Sequence, residues 1–177
     1  MKNKKAQVWI ETVVYTLIML SIIGIVIGVA KPAIQEKQDR LLIEQSIDSL
    51  NIIDSKIEEI LIYGVGNTRE ISELGIKKGK LTINSPEDKI EFEIDSKYAY
   101  SQPNTLVKRG KIDILTEKKA NSYNVKLSIS YKEENINITI NNKDELKTLS
   151  QSSTPYKLYI RNVEYANNLY RIDFTIS

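Results

Sequence analysis

Glu11 is the residue with the clearest chemical demand in this sequence, because it is a carboxylate at the start of an apolar stretch. The residues that follow it, 12–30, carry no charge. A carboxylate that is withdrawn from water needs a cationic partner, whereas one that stays at a bilayer interface can remain hydrated at little cost. Glu11 is therefore predicted either to pair with a positive group or to lie at a membrane surface.

Candidates for catalysis are scarce. The chain has no His and no Cys, which removes the commonest general base, thiol nucleophiles, thiolate and imidazole metal sites and Ser-His-Asp triads. The remaining acidic groups are Glu58–Glu59, Glu133–Glu134 and the polar loop 141–145, which lacks the spacing of a calcium loop. The sequence predicts no catalytic residue, no metal site and no cofactor, and hence a protein that is not an enzyme.

The net charge of the chain does not indicate a class of binding partner. The 177 residues include 25 Lys and Arg against 23 Asp and Glu, a balance too even for the electrostatic footprint of a nucleic-acid-binding protein. We therefore expect no nucleic acid among the partners. The length suits one globular domain with an additional segment.

That additional segment is the N-terminus. Lys2, Lys4 and Lys5 precede the uncharged run 12–30, which as a helix of roughly 19 residues is ~28 Å long and can span a bilayer. The lysines favour a cytoplasmic N-terminus and an exported remainder. The predicted location is thus the cytoplasmic membrane, crossed once.

Three fates of this segment are possible. It could be a permanent signal anchor, a secretory signal peptide cleaved after the small residues Gly28 and Ala30, or a class III signal peptide cleaved before the apolar run. The run is longer than the 7–15 apolar residues typical of a secretory signal peptide. Glu11 favours the class III signal peptide, because neither of the other two requires a carboxylate at this position.

The stretch Lys4-Lys5-Ala6-Gln7-Val8-Trp9-Ile10-Glu11 resembles the N-terminus of archaeal type IV pilins and archaellin-like subunits. In that family a prepilin peptidase removes a short basic leader after a small residue, and the mature chain carries Glu as its fifth residue. The resemblance implies cleavage between Ala6 and Gln7 and pairing of Glu11 with the new amine. It also implies pilus assembly machinery and a homo-oligomeric surface filament.

The region after the span is predicted to continue as an amphipathic stem. Between residues 31 and 63, apolar residues recur mostly at three- and four-residue steps. These residues are Ile34, Leu41, Leu42, Ile47, Leu50, Ile53, Ile57, Ile60 and Leu61. Pro32 predicts a kink in the helix, and Gly24 and Gly28 form a small-xxx-small pair that allows close helix packing during assembly.

Beyond Gly64 the period of the apolar residues changes to two, which predicts six to eight antiparallel strands. The alternating runs lie at 81–83, 90–94, 112–114, 123–131, 136–140, 156–160 and 170–176. Turn residues separate them at 84–88, 133–135, 141–144 and 166–168. Asn137-Ile138-Thr139 is a possible glycosylation site, with Asn137 on the polar face of its strand.

Together these patterns predict an α+β fold in which a long N-terminal helix is followed by an antiparallel β-sheet or sandwich. The predicted segments are a leader (1–6), a helix (7–63, with span 12–30 and stem 31–63) and an extracellular β domain (64–177). The function expected from the resemblance is a structural subunit of a type IV pilus-like filament for adhesion or cell contact. The alternative is a single-span, membrane-anchored extracellular binding module that does not polymerise.

Overall fold

The computed structural model describes the backbone of residues 4–177 and the side chains of residues 8–177. It has an α+β architecture, as predicted: one long N-terminal helix precedes sheets that are mainly antiparallel. Helix α1 spans Lys4–Tyr63. The ten strands are β1 (Thr68–Leu74), β2 (Lys80–Asn84), β3 (Lys89–Ser96), β4 (Leu106–Arg109), β5 (Ile112–Lys118), β6 (Tyr123–Ser130), β7 (Ile136–Ile140), β8 (Leu146–Ser150), β9 (Tyr156–Ala166) and β10 (Leu169–Ile176).

Helix α1 ends where the sequence predicts. Gly64 has a φ of 86° and its N–H donates to the carbonyl of Ile60 at 3.1 Å, a left-handed cap that glycine adopts without steric cost. Pro32 lies inside the helix, which continues through it, and the kink at this residue stays a prediction. The helix begins at Lys4, three residues before the predicted start at Gln7.

By its internal contacts the chain forms two compact units, 1–38 and 39–177. The predicted segments 1–6, 7–63 and 64–177 follow secondary structure rather than contacts, and they stay predictions. In the second unit one face of α1 is buried at three- and four-residue steps. Its buried apolar residues are Ile43, Ile47, Leu50, Ile53, Ile57 and Ile60.

The predicted apolar stripe was too long at its beginning. Leu41 belongs to the second unit but is exposed, whereas Ile43, absent from the predicted stripe, is fully buried. The buried positions step by three or four residues from Ile43, and Leu41 lies outside that series.

The strands form two sheets. One has four strands in the order β1-β9-β10-β7, and the other has six in the order β4-β5-β6-β3-β2-β8. In the described part of the chain the named strands pair antiparallel except β7 with β10, so the prediction of an antiparallel domain was wrong for that pair. Strand β7 follows β6 of the other sheet and joins the four-stranded sheet alongside β10 in the same direction.

A single hydrophobic cluster unites both sheets with the second-unit part of α1. The inward-facing residues of β3, β5, β6 and β7 alternate with outward-facing ones, as their sequence patterns predict. Phe92, Tyr131 and Phe174 are the largest fully buried side chains. The predicted turns also separate strands, and asparagines at positions 135, 141, 142, 167 and 168 adopt positive φ there.

Polar contacts tie the helix to the strands at the edge of this core. Asp39, only 2% exposed, accepts from Lys78 Nζ at 2.5 Å and from the backbone N–H of Lys97 at 2.6 Å. Near the other end of the helix, the side-chain amide of Asn162 donates to the carbonyl of Ile60 at 3.3 Å. The sequence pattern gave no indication of these pairs, because the partners are distant in sequence.

Lys111 lies among three carboxylates, 2.9 Å from Glu58, 3.2 Å from Glu134 and 3.5 Å from Asp54. Although burial acts against it, these hydrogen bonds and charges raise the pKa of Lys111 above its usual value. Burial raises the pKa of Asp54, and this is only partly offset by Lys111 and by the Tyr131 hydroxyl, which donates to it at 3.1 Å. The cluster holds the β4–β5 turn against the helix.

Glu44 of the helix forms hydrogen bonds to residues of the β domain that are expected to weaken at acidic pH. Arg109 donates to it at 2.6 Å and the Tyr100 hydroxyl at 2.9 Å. The Arg109 hydrogen bond is the main reason that the pKa of Glu44 lies below its usual value, despite partial burial. Because the folded-state pKa is the lower one, this stability is present above about pH 4 and is lost as pH falls through the folded-state pKa.

We therefore expect Glu44→Gln to destabilise the second unit by about 0.5–1 kcal/mol at neutral pH, the range of partly exposed ion pairs. The difference from the wild type should shrink as the pH falls toward 3, because the wild-type carboxylate then becomes neutral as well. Urea unfolding at several pH values measures this. Glu73→Gln is the matched control, since Glu73 is exposed and its side chain makes no hydrogen bond or ion pair in the described part of the chain. A difference that stays constant with pH would contradict this role of Glu44.

Candidate membrane-spanning and assembly segment

The described side chains in the apolar half of α1 are almost all exposed. Every side chain from Val8 to Val29 is exposed, and Ala30 is only partly covered. By length and composition, α1 is able to cross a membrane in this region. An aqueous environment would leave this surface unfavourably hydrated, since apolar area costs roughly 25 cal/mol per Å² in water. Lipid or other apolar helices around the segment would remove this cost.

The large exposed side chains of this segment surround the helix rather than forming one stripe. They are Val8, Trp9, Ile10, Val13, Val14, Tyr15, Leu17, Ile18, Met19, Leu20, Ile22, Ile23, Ile25, Val26, Ile27 and Val29. A helix that is apolar on all sides is typical of a membrane span or of the centre of a helical bundle. Trp9 lies at the end that carries the lysines, the position at which aromatic residues anchor to membrane interfaces.

The threonine and serine hydroxyl groups of the span are satisfied within the helix. Thr12 donates to the carbonyl of Val8 at 2.9 Å, Thr16 to that of Thr12 at 2.8 Å and Ser21 to that of Leu17 at 2.8 Å. Such bonds remove the need for water, which a hydrocarbon environment does not supply. Sequence reasoning missed these residues, although their isolation within an apolar run is the signal that could have found them.

Glu11 lies on an exposed part of the helix, one turn after Gln7. Two backbone positions four apart on a helix lie on one face and about 6 Å apart along its axis. Lys2 lies outside the described residues, as do the side chains of Lys4, Lys5, Ala6 and Gln7. The predictions about leader recognition and cleavage thus fall largely outside what the structure describes.

Gly24 and Gly28 leave an open strip on the helix surface. Apart from its sequence neighbours and the surrounding helix backbone, a methyl group placed on either glycine would meet no described atom within 4 Å. Small residues four apart allow a second helix to approach closely. The structure brings these glycines to one face of the helix, as their spacing predicts.

The possible glycosylation site lies in β7, at the edge of the four-stranded sheet. Asn137 is half-buried, as is Arg171, opposite it on β10. Thr139 is 6% exposed and its hydroxyl donates to Asp173 at 2.8 Å. Alternation predicts the face of Thr139 correctly but not its burial, and glycosylation of Asn137 stays a prediction.

The acidic groups form no recognisable metal centre. Within residues 8–177, no three Asp or Glu side chains are grouped so that they could hold a metal ion. The carboxylates near Lys111 are instead occupied by its ammonium group.

No protein-family model matches this chain, and no curated protein and no solved structure matches it either.

Proposed function

We propose that this protein is a structural subunit of a type IV pilus-like surface filament, inserted in the cytoplasmic membrane and then polymerised through its N-terminal helix. The observation that carries the proposal is the apolar surface of residues 8–30, exposed around the whole helix and preceded by a basic segment. Glu11, the only charged residue within that surface, gives it a specific place for pairing.

Polymerisation would replace the lipid around this surface with identical helices. Lipid and neighbouring apolar helices offer similar solvation, so close packing and polar pairing must favour the assembled state. The open strip at Gly24 and Gly28 supports close packing, and Glu11 supports polar pairing. The role is structural rather than enzymatic, and the β domain is left outside the membrane for adhesion or cell contact.

The processing pathway implied by the sequence resemblance consists of a prepilin peptidase that cleaves before Gln7 and an assembly apparatus that extracts the mature chain. After cleavage the new amine would lie one helical turn from Glu11, within the same filament layer or between neighbours. An amine and a carboxylate withdrawn together from water satisfy each other, which neither can do alone in an apolar bundle.

The N-terminal mass of the native protein, measured by intact and peptide mass spectrometry, tests this proposal. We expect a chain that begins at Gln7, either free or cyclised to pyroglutamate. An intact Met1 would instead favour the non-polymerising, membrane-anchored binding module. A chain that begins at Lys31 would identify a freely secreted β protein and overturn the proposal.

A further inference from the structure

The six-stranded sheet ends in two short edge strands, β4 and β8. Within the described residues, β4 pairs only with β5, and β8 pairs only with β2. Each edge strand therefore has one side whose backbone N–H and C=O groups face no other strand. An unpaired edge of this kind is a template for a strand from another chain.

The directions of these two edge strands are complementary. All five neighbouring pairs of the sheet are antiparallel, so β4 and β8 run in opposite directions. A second copy placed beside the first would bring its β8 antiparallel to β4 and would continue the pattern. The four-stranded sheet lacks this property, because its edges β1 and β7 run in the same direction and would have to pair in parallel.

Side-chain orientation restricts how the two edges can be aligned. Leu106 and Lys108 are opposite Leu115 and Asp113, on the face of the sheet directed away from the core. Leu146 and Thr148 are opposite Asn84 and Thr82 on the same face. A shift of one residue between the two strands would place outward-facing side chains of one copy beside inward-facing side chains of the other. The possible alignments therefore differ from one another by steps of two residues.

Charge selects one of these alignments. When Lys108 is opposite Leu146 of the second copy, Arg109, whose guanidinium also binds Glu44, is opposite Glu145, which is exposed and whose side chain makes no hydrogen bond or ion pair in the described structure. A shift of two residues in one direction places Arg109 against Lys143 and Lys108 against Asp144, one unfavourable pair and one favourable pair, and a shift in the other direction places Arg109 against Lys147. Opposite charges across strands are favourable and like charges are unfavourable, so the first alignment is preferred.

We propose that the β4 edge of one copy pairs with the β8 edge of a second copy, extending the six-stranded sheet from subunit to subunit. Pairing of β4 with another β4 is opposed by Lys108 and Arg109, which place two cations on each four-residue strand. The contact is head-to-tail and does not close on itself, and strand twist of ~20–25° per step rotates each copy relative to the last. This edge contact rests on the proposed function in one respect: the filament would bring the β domains of neighbouring subunits close together.

Paired cysteines test this contact cleanly, because the natural chain has none. We would express the full-length double variant Lys108→Cys/Leu146→Cys, oxidise it in isolated membranes and separate the products on a non-reducing gel. Within one chain the two sites are five strand spacings apart, ~24 Å, too far for a disulfide. The expected result is a ladder of covalent oligomers that reduction collapses to monomer.

The single variants define the geometry. Lys108→Cys and Leu146→Cys should each remain monomeric when expressed alone, and together they should give a dimer but no ladder. Adding Glu145→Lys to the double variant should lower the oligomer fraction roughly fivefold, because Arg109 then meets a like charge. Dimers from either single variant, or monomers alone from the double variant, would overturn the proposal.

Electron microscopy of the same unoxidised sample separates this proposal from the proposed function. Filaments without a ladder would refute the edge contact and leave the pilus proposal intact. A ladder without filaments, from a chain that retains Met1, would support the edge contact and refute the pilus proposal.

Discussion

Glu11→Ala is expected to abolish filament formation and to leave the protein in the membrane at the wild-type level. In the proposed filament the Glu11 carboxylate is desolvated and pairs with the amine of a processed Gln7. Removing one partner of a desolvated ion pair costs about 3–5 kcal/mol, since the other charge is left unpaired. Because 1.4 kcal/mol is a factor of ten, the affinity of subunit addition should fall at least about a hundredfold.

Membrane insertion should not suffer from this change. Alanine is easier to insert into hydrocarbon than a carboxylate, so the variant helix is at least as suitable for spanning the bilayer. The experiment counts filaments by electron microscopy and measures the membrane-bound chain by immunoblot in the same cells. The expected combination is a normal amount of membrane protein with almost no filaments.

Glu36→Ala is the matched control for Glu11→Ala. Glu36 is also an exposed carboxylate of α1 in the first compact unit, but it lies after the apolar run. It should therefore assemble normally. Glu11→Gln keeps a polar side chain without the charge and should also assemble poorly. Wild-type filament numbers from Glu11→Ala would refute the pairing of Glu11 with the amine.

The sequence predicts strands well where they contribute to the core. The seven alternating runs correspond to β2, β3, β5, β6, β7, β9 and β10. The three strands that were missed, β1, β4 and β8, all lie at sheet edges. Each of these three strands buries at most one residue, and every residue of β4 is exposed, so their apolar residues mark no buried face. Strand β7 is also an edge strand, but it buries four of its five residues and was predicted. Strands β1 and β8 also pair with strands that are distant in sequence, which local patterns do not record.

The burial of a strand face by other parts of the fold is the second feature that sequence periodicity does not predict. Alternation places Thr139 on the polar face of β7, yet the residue is buried and bonded to Asp173, whose carboxylate also accepts from the backbone of Asn142. The loop after β7 thus covers a face that the pattern marks as accessible. For the apolar span the opposite holds, since composition alone indicates a surface that needs an apolar environment.

Neither sequence periodicity nor the structure of a single chain identifies which groups of other molecules would contact this segment. In the proposed filament, the exposed span is the surface that neighbouring helices would cover, and Glu11 is the position at which a charge would be paired. The identity of the covering groups depends on other molecules, since no described residue of the chain packs over Gly24 or Gly28. Variants that separate insertion from assembly are therefore the most informative experiments on this segment.

A buried acidic residue at the start of the second unit gives the largest expected effect on stability. Asp39 is 2% exposed, and its two oxygens accept from the Lys78 ammonium and the Lys97 backbone N–H. These bonds join α1 to the segment before β2 and to the end of β3. Asp39→Ala would leave an ammonium and a backbone N–H without their acceptor at a site from which water is largely excluded.

We expect Asp39→Ala to lower the free energy of unfolding by about 2–3 kcal/mol, below the full cost of a broken buried ion pair because Lys78 is 30% exposed. Asp39→Asn keeps an oxygen for the Lys97 N–H and should lose only about 1 kcal/mol. Urea unfolding of the full chain in mild detergent measures both changes. Near-ultraviolet circular dichroism is a suitable signal, because every tyrosine except Tyr15 lies in the second unit.

Comparison with Asp48→Ala distinguishes the loss of the Asp39 hydrogen bonds from a general effect on stability of removing a negative charge from the helix. Asp48 is exposed on the same helix and its side chain makes no hydrogen bond or ion pair in the described structure, so its loss should change stability by less than about 0.5 kcal/mol. Equal effects of the two alanine variants would show that helix charge, rather than the Asp39 tie, sets the stability. A large effect of Asp39→Ala beside a small one of Asp48→Ala would establish that the second unit depends on this buried carboxylate to hold α1 against its strands.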